Sequence, residues 1–267
     1  MNRKTFIQSH SVLIYFFLTF LISWGGSFLG VGPKFLRGET IDLSDIGIMG
    51  LAMLAGPFIA GILMTYLTDE REGLSDLFSR MTKWRVGGRW YTTLAIFPIL
   101  VLSVSWVLSV LVSTEFFPIF FGIGLVMGLF AGFFEETGWM GFAFPKMSQK
   151  GNILGASIHL GLIHGVWHLL AGFLGQFQEL GQYWIPYNIG FVVFVWALRV
   201  LIVWVYVNTE SLLLSQLMHA SSSGFLALLV PTEIAPQNWV VYYLVYAIVM
   251  WVTAVVVVLK YGRTLKA

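Results

Sequence analysis

The sequence predicts an all-α polytopic membrane helix bundle, and three observations carry that expectation. Hydrophobic residues make up 58% of the 267 and charged residues only 10%. Apolar runs recur at or near the ~20 residues that cross a hydrocarbon core of ~30 Å. Basic residues crowd into alternate connections between those runs. About eight spans are expected, forming one integral membrane domain over residues 1–267 with little chain left for a soluble domain.

The first span, Ser11–Val31, follows only Arg3 and Lys4, as a signal peptide would. Ser23-Trp24-Gly25-Gly26 lies inside a long apolar stretch that no small-residue cleavage site closes, so the segment reads as a span. Ile46–Leu67 is the second. The polar insertion from Thr68 to Arg89 follows, in which Leu74, Leu77, Phe78 and Met81 recur at helical spacing beside Arg80, Lys83 and Arg85. That pattern predicts a short anchoring helix on the inner membrane surface. Trp90–Val112, Phe117–Phe144, Asn152–Phe173, Ile185–Val207, Ser211–Val230 and Trp239–Leu259 complete the set. With the N-terminus inside, Arg3, Lys4, Arg71, Arg80, Lys83, Arg85, Arg89, Lys146, Lys150, Lys260, Arg263 and Lys266 fall on the cytoplasmic side, and only Lys34 and Arg37 fall opposite. Both termini are therefore expected in the cytoplasm, with a bacterial plasma membrane as the location. The net charge of +2 is a topology signal and gives no reason to expect a nucleic-acid partner. The absence of cysteine excludes disulfides, thiolate metal sites and a cysteine nucleophile.

Polar residues inside the apolar runs point to chemistry. Glu135 and Glu136 interrupt the fourth span, where an acidic residue costs roughly 2.5 to 3.5 kcal/mol on insertion scales, so a functional site is the default reading and solvation at headgroup level the alternative. Successive helix positions point about 100° apart, so the two carboxylates address different partners. In the fifth span His164 and His168 share a face, while His159 lies about half a turn away. His219 and Ser223 share a face of the seventh. A glutamate with histidines can activate water while a second histidine and a hydroxyl stabilise the oxyanion of an attacked amide. The same groups can instead hold a divalent metal such as zinc, although no His-Glu-x-x-His motif is present.

Three motifs carry a family resemblance. Glu135-Glu136-x-x-Trp139-x-Gly141-Phe142, then Gly165-Val166-Trp167-His168-Leu169, then Thr209-x-Ser211-Leu212-Leu213-Leu214 leading to His219-Ala220, resemble those of the CPBP intramembrane proteases. That family includes the type II CAAX prenyl endopeptidases, the Abi proteins and relatives of lysostaphin resistance protein A. The resemblance runs from Ala131 to Gly224 and implies a catalytic core over 131–224 and an endopeptidase, glutamate- or metal-dependent, acting on a peptide or protein at the lipid bilayer. It implies Glu135 as the general base acting on water with His168, Glu136 as its companion, and His219 with Ser223 as oxyanion stabilisers. If a metal is present, Glu135, His168 and His219 are the expected ligands, with His164 as a further candidate. Met140 stands where the family usually has arginine, and Ser223 where asparagine is common.

The missing arginine would pair with Glu136 along the helix. Arg199, alone in the apolar stretch Phe191 to Val207, is expected either to supply that charge from a neighbouring helix or to snorkel toward the headgroups. With these boundaries His168 lies ~24 Å beyond the inner start of its span and Glu135 ~27 Å beyond the outer start of its own, so the two meet only if the boundaries shift. His164 is the alternative working histidine. Two other functional classes fit such residues: a non-catalytic scaffold or regulator of the same fold, supported by Met140, and a proton-coupled transporter.

Overall fold

All eight expected segments appear as helix, with revised ends. The structure is a computed structural model that describes residues 3–230 and 234–267. The side chains of Arg3 and Lys4, counted above among the inner charges, lie outside the described residues. The helices are α1 (Arg3–Ser9), α2 (Ser11–Leu36), α3 (Leu43–Met81), α4 (Ile96–Leu111), α5 (Gly124–Gly138), α6 (Phe144–Met147), α7 (Ile153–Trp167), α8 (Leu169–Leu180), α9 (Trp184–Thr209), α10 (Leu212–Leu229) and α11 (Pro236–Tyr261). Among the described residues there is no strand, and 6 helical stretches are long and apolar enough to cross a membrane. The stretches around α5 and α7 are shorter than that, because each is interrupted where the polar residues stand.

Three departures from the expected boundaries have physical causes. The fourth segment starts as helix only at Gly124; before it, the N–H of Phe121 donates to the carbonyl of Leu228 at 2.8 Å, which ties the lead-in to the end of α10. Eleven residues of rise then place Glu135 about 16 Å into the helix instead of ~27 Å, which removes the conflict in the span arithmetic. The fifth segment breaks at His168 between α7 and α8, and the indole N–H of Trp24 takes up the carbonyl of Trp167 there at 2.8 Å. The second segment runs on through the polar insertion to Met81, with a break at Glu70 (φ 56°) where the chain leaves the apolar layer. Its last turns are docked rather than loosely lying: Leu77 is buried, and Arg80 donates to the Tyr206 hydroxyl at 2.9 Å and to the Gly141 carbonyl at 3.0 Å.

Polar contacts divide the bundle into two ends. Gln8 with Thr68, Lys146 with Asp69, Arg80 with Asp76 and Lys83 with Glu210 gather at one. Lys34 with Asp42 and Asp45, Arg37 with Glu39, and Glu115 with Asn238 gather at the other. Of the basic residues expected inside, Arg80, Lys83 and Lys146 thus share one end.

Close backbone approach brings the functional helices together. A Cβ on Gly132 would lie 2.2 Å from the Gln216 carbonyl oxygen, and one on Gly128 would lie 2.5 Å from that of Ala220, so α5 and α10 touch through a glycine face. Small-residue contact of this kind drives helix association in lipid, where burial of apolar surface gives no advantage. Gly161 does the same for α7 against α9, where a Cβ would meet the Cβ of Arg199 at 3.0 Å.

Candidate active site

The glycine contacts fix four helices around a buried group of ionisable side chains. Glu135 and Glu136 end α5 just before it widens into a π-helical turn over Trp139–Ala143, which extends the helix without closing the tight ladder and leaves the Gly141 carbonyl to Arg80. Glu135 is 4% exposed, Glu136 0% and His219 3%. Carboxylates this deep must be paired or hydrogen-bonded, and both are.

Glu136 is held by Arg199 of α9 in a bidentate pair, Nη1 to Oε2 at 2.5 Å and Nη2 to Oε1 at 2.9 Å. Arg199 is completely buried, so its guanidinium completes the ion pair and does not snorkel. The charge absent at Met140 is supplied from another helix. Glu136 Oε1 also accepts from Nδ1 of His219 at 2.6 Å, because a carboxylate so paired with arginine offers no proton of its own. That leaves Nε2 of His219 facing Glu135 Oε2 at 3.9 Å.

Hydrogen-bond logic also fixes His164. Nη2 of Arg199 reaches Nδ1 of His164 at 2.9 Å, and arginine can only donate, so Nδ1 accepts. The proton of the neutral ring is therefore on Nε2, which donates to Glu135 Oε2 at 2.9 Å. A single guanidinium thereby orients both glutamates, one directly and one through an imidazole.

His168, at the helix break, is half-buried and makes no side-chain hydrogen bond among the described residues. Its ring packs on Trp167 at 4.7 Å and Phe191 at 5.1 Å between centroids. Ligand-type atoms of Glu135, His164 and His168 all lie within 4.8 Å of one another. Ser223 stands one turn beyond His219 on α10, half-buried and without a side-chain hydrogen bond among the described residues. The Trp139 indole packs against this centre, 5.2 Å from the His164 ring, with the buried Tyr15 ring edge-on to it at 5.7 Å.

Donor chemistry limits where a metal fits. His164 does not, because Arg199 occupies Nδ1 and the Nε2 proton would have to be removed to an imidazolate. Of that converging group Glu135 and His168 remain; His219 lies outside it, although its Nε2 is 3.9 Å from Glu135 and the Glu136 contact to Nδ1 is the carboxylate–imidazole arrangement that supports a ligating Nε2.

The centre opens on an apolar groove of about 700 Å³ between the first turns of α3 and α5, with Glu135 and His168 at its inner wall and Leu51, Val126 and Phe130 exposed along its mouth. Sequence reading missed this groove, and it also missed the Trp24 contact and the glycine face. The Gly124, Gly128 and Gly132 spacing was the available signal for the last.

A membrane-embedded helical bundle with a buried carboxylate–imidazole centre is the class that fold and site define. The family described as Type II CAAX prenyl endopeptidase Rce1-like matches residues 117–225, a stretch that contains all three motifs. The chain is 25% identical over 234 residues to CAAX prenyl protease 2 of Methanococcus maripaludis, covering 77% of this chain and 80% of that protein. Both matches bear out the resemblance to the CPBP intramembrane proteases, and with the apolar helices they identify an integral membrane protein.

Proposed function

We propose that this protein is an intramembrane endopeptidase in which Glu135 activates a water molecule to hydrolyse a peptide bond. The observation that carries the reading is the gathering of Glu135, His164, His168 and His219 from three helices within a few ångströms, beside a groove open toward lipid. A separation of up to 4.8 Å between Glu135 and His168 suits one water bridging them with two hydrogen bonds of ~2.8 Å. Glu135 takes a proton from that water as its oxygen adds to the carbonyl carbon. The C–N bond then breaks, and Glu135 returns the proton to the departing amine. His164 holds the Glu135 carboxylate in place throughout and keeps one of its oxygens occupied.

His219 can stabilise the oxyanion only as an imidazolium, since Nδ1–H is committed to Glu136 and Nε2 needs its own proton to donate. The Glu136 carboxylate behind the ring supports that charged form, as an acid oriented behind a catalytic imidazole does. Ser223 is the second donor in this reading. A divalent ion held by Glu135, His168 and His219 would instead supply an acidified water and a Lewis acid for the carbonyl. It would need the Nε2 lone pair of His219, so a metal there and an Nε2–H donor exclude one another.

For substrate, the two matches support a CAAX-type prenylated protein, and the apolar groove has room for a hydrocarbon chain beside the reacting bond. The end bearing Arg80, Lys83 and Lys146 is taken as cytoplasmic, following the charge asymmetry. Wild-type protein in lipid nanodiscs should cleave a prenylated CAAX-type peptide, and His219→Ala should lower kcat at least ~100-fold, the scale of removing an oxyanion donor. Turnover unaffected by that change would remove His219 from the chemistry. Dialysis against chelator, followed by metal analysis and assay, separates the metal-free route, which keeps its rate, from the metal-dependent one, which loses it.

A further inference from the structure

His168 stands at the junction of two cavities. One is the apolar groove; the other, of about 260 Å³, lies between α8, α9 and the start of α3 and carries polar groups that the reaction described above does not use. Asn188, 5% exposed, donates from Nδ2 to the carbonyl of Trp184 at 2.8 Å. A carbonyl accepts only from N–H, so the amide orientation is fixed and Oδ1 is turned the other way, without a donor among the described residues. Gln176 donates from Nε2 to the Tyr187 hydroxyl at 3.3 Å, which leaves its Oε1 in the same condition. Both oxygens converge over Gly172: a Cβ there would lie 3.3 Å from Asn188 Oδ1 and 3.6 Å from Gln176 Oε1. Gly172 is one helical turn beyond His168, and its N–H donates to the His168 carbonyl at 2.9 Å. The indole of Trp184 donates to the Gly172 carbonyl at 3.0 Å and clamps α8 to α9 at this level. The arrangement sets two amide oxygens without donors among the described residues above a glycine, with the Tyr187 hydroxyl beside them.

We propose that this pocket is the subsite for the leaving side of the substrate and binds amide N–H groups of the one or two residues that follow the scissile bond. The inference rests on the endopeptidase reading and deepens it. Paired neutral carbonyl oxygens select a ligand that brings N–H groups, and the lack of a carboxylate among these acceptors selects uncharged amides over ammonium groups. A cavity of 260 Å³ lies just under the usual ~300 Å³ lower bound of ligand pockets, which suits a short extended segment and excludes a helix. The pocket begins at His168, whose ring nitrogen lies within 4.8 Å of the Glu135 carboxylate that must reach the departing nitrogen, so a fragment leaving from Glu135 has this pocket beside it.

Wild type, Glu135→Gln, Asn188→Leu and Gly172→Ala in nanodiscs, each checked for a wild-type thermal midpoint, would be given a peptide library and the cut sites read by mass spectrometry. Gly172→Ala keeps the helix and puts a methyl group against Oδ1, so it serves where the Asn188 variant misfolds. The expected result is a changed residue preference after the cut, an unchanged preference before it, and a KM raised about three- to tenfold, the worth of one neutral hydrogen bond. Wild-type preferences and KM in both variants, with cleavage lost only in Glu135→Gln, would overturn the subsite and leave the endopeptidase reading standing. A change confined to residues before the cut would also overturn it. Cleavage at equal rates in wild type and Glu135→Gln, or in neither, would remove the endopeptidase reading and this inference with it.

Discussion

Replacing Arg199 with leucine deletes the charge that two glutamates share. In the folded protein Arg199 and Glu136 are both fully buried and joined by hydrogen bonds of 2.5 and 2.9 Å, and a third bond of 2.9 Å reaches His164. Leucine leaves Glu136 with His219 alone and frees Nδ1 of His164. Breaking one side of a buried ion pair costs about 3–5 kcal/mol, because the remaining charge stays desolvated. At roughly 2–4 °C per kcal/mol for a chain of this size, the thermal midpoint should fall by about 6–20 °C. Thermal unfolding in nanodiscs, followed by near-ultraviolet circular dichroism, measures this directly. Adding Glu136→Gln to the Arg199→Leu protein removes the stranded charge and should recover a large part of the lost stability, though not activity, since His219 then lacks the carboxylate behind it. Arg199→Lys should not substitute, because lysine cannot form the bidentate pair and reach His164 as well. An Arg199→Leu protein that keeps both its thermal midpoint and its turnover would refute the reasoning.

His164→Leu should lower kcat about ten- to hundredfold with little change in KM, the usual range for a group that orients a reacting side chain, as a kinetic assay on one cleavable peptide would reveal. Gly132→Ala drives a methyl group into the Gln216 carbonyl and must part α5 from α10; a loss of about 1–3 kcal/mol in unfolding experiments and a larger loss of turnover are expected. Asp42 caps α3, accepting from the N–H groups of Ser44 and Asp45, and the Lys34 ammonium, more than the Ser44 hydroxyl, holds its carboxyl below the usual range. A depressed carboxyl stabilises the fold fully above its unfolded value of about 3.9 and loses that contribution as pH falls toward the folded value. Asp42→Ala should therefore lose less stability than wild type on acidification below about pH 4, as thermal midpoints across a pH series would record.

The helical class and the eight segments were legible because apolar length and loop charge are strong, local signals. Glu135, Glu136, His168 and His219 were legible for a related reason: each is expensive in lipid, so each stands out. Arg199 could be singled out in the same way, and a vacancy for charge at Met140 gave it a partner. The distance problem between Glu135 and His168 was different. Its solution depends on α5 beginning at Gly124 and on α7 breaking at His168, and both are set by tertiary contacts, Phe121 to Leu228 and Trp24 to Trp167, that leave no periodic trace. The state of His164 was likewise hidden, since the spacing to His168 reads the same whether the ring serves as ligand, base or bridge. Only the approach of Arg199 to Nδ1 decides among them. Asn188 and Gln176 carry no charge and so gave no signal of a pocket.

Hydrolysis in water labelled with oxygen-18 tests the role of Glu135 most directly. Wild-type protein should place one labelled oxygen in the new carboxylate of the fragment before the cut, and Glu135→Gln, with the ion pair of Glu136 and Arg199 untouched, should release no fragment above background. Labelled product appearing at the wild-type rate from Glu135→Gln would contradict the assignment of that carboxylate as the group that activates water.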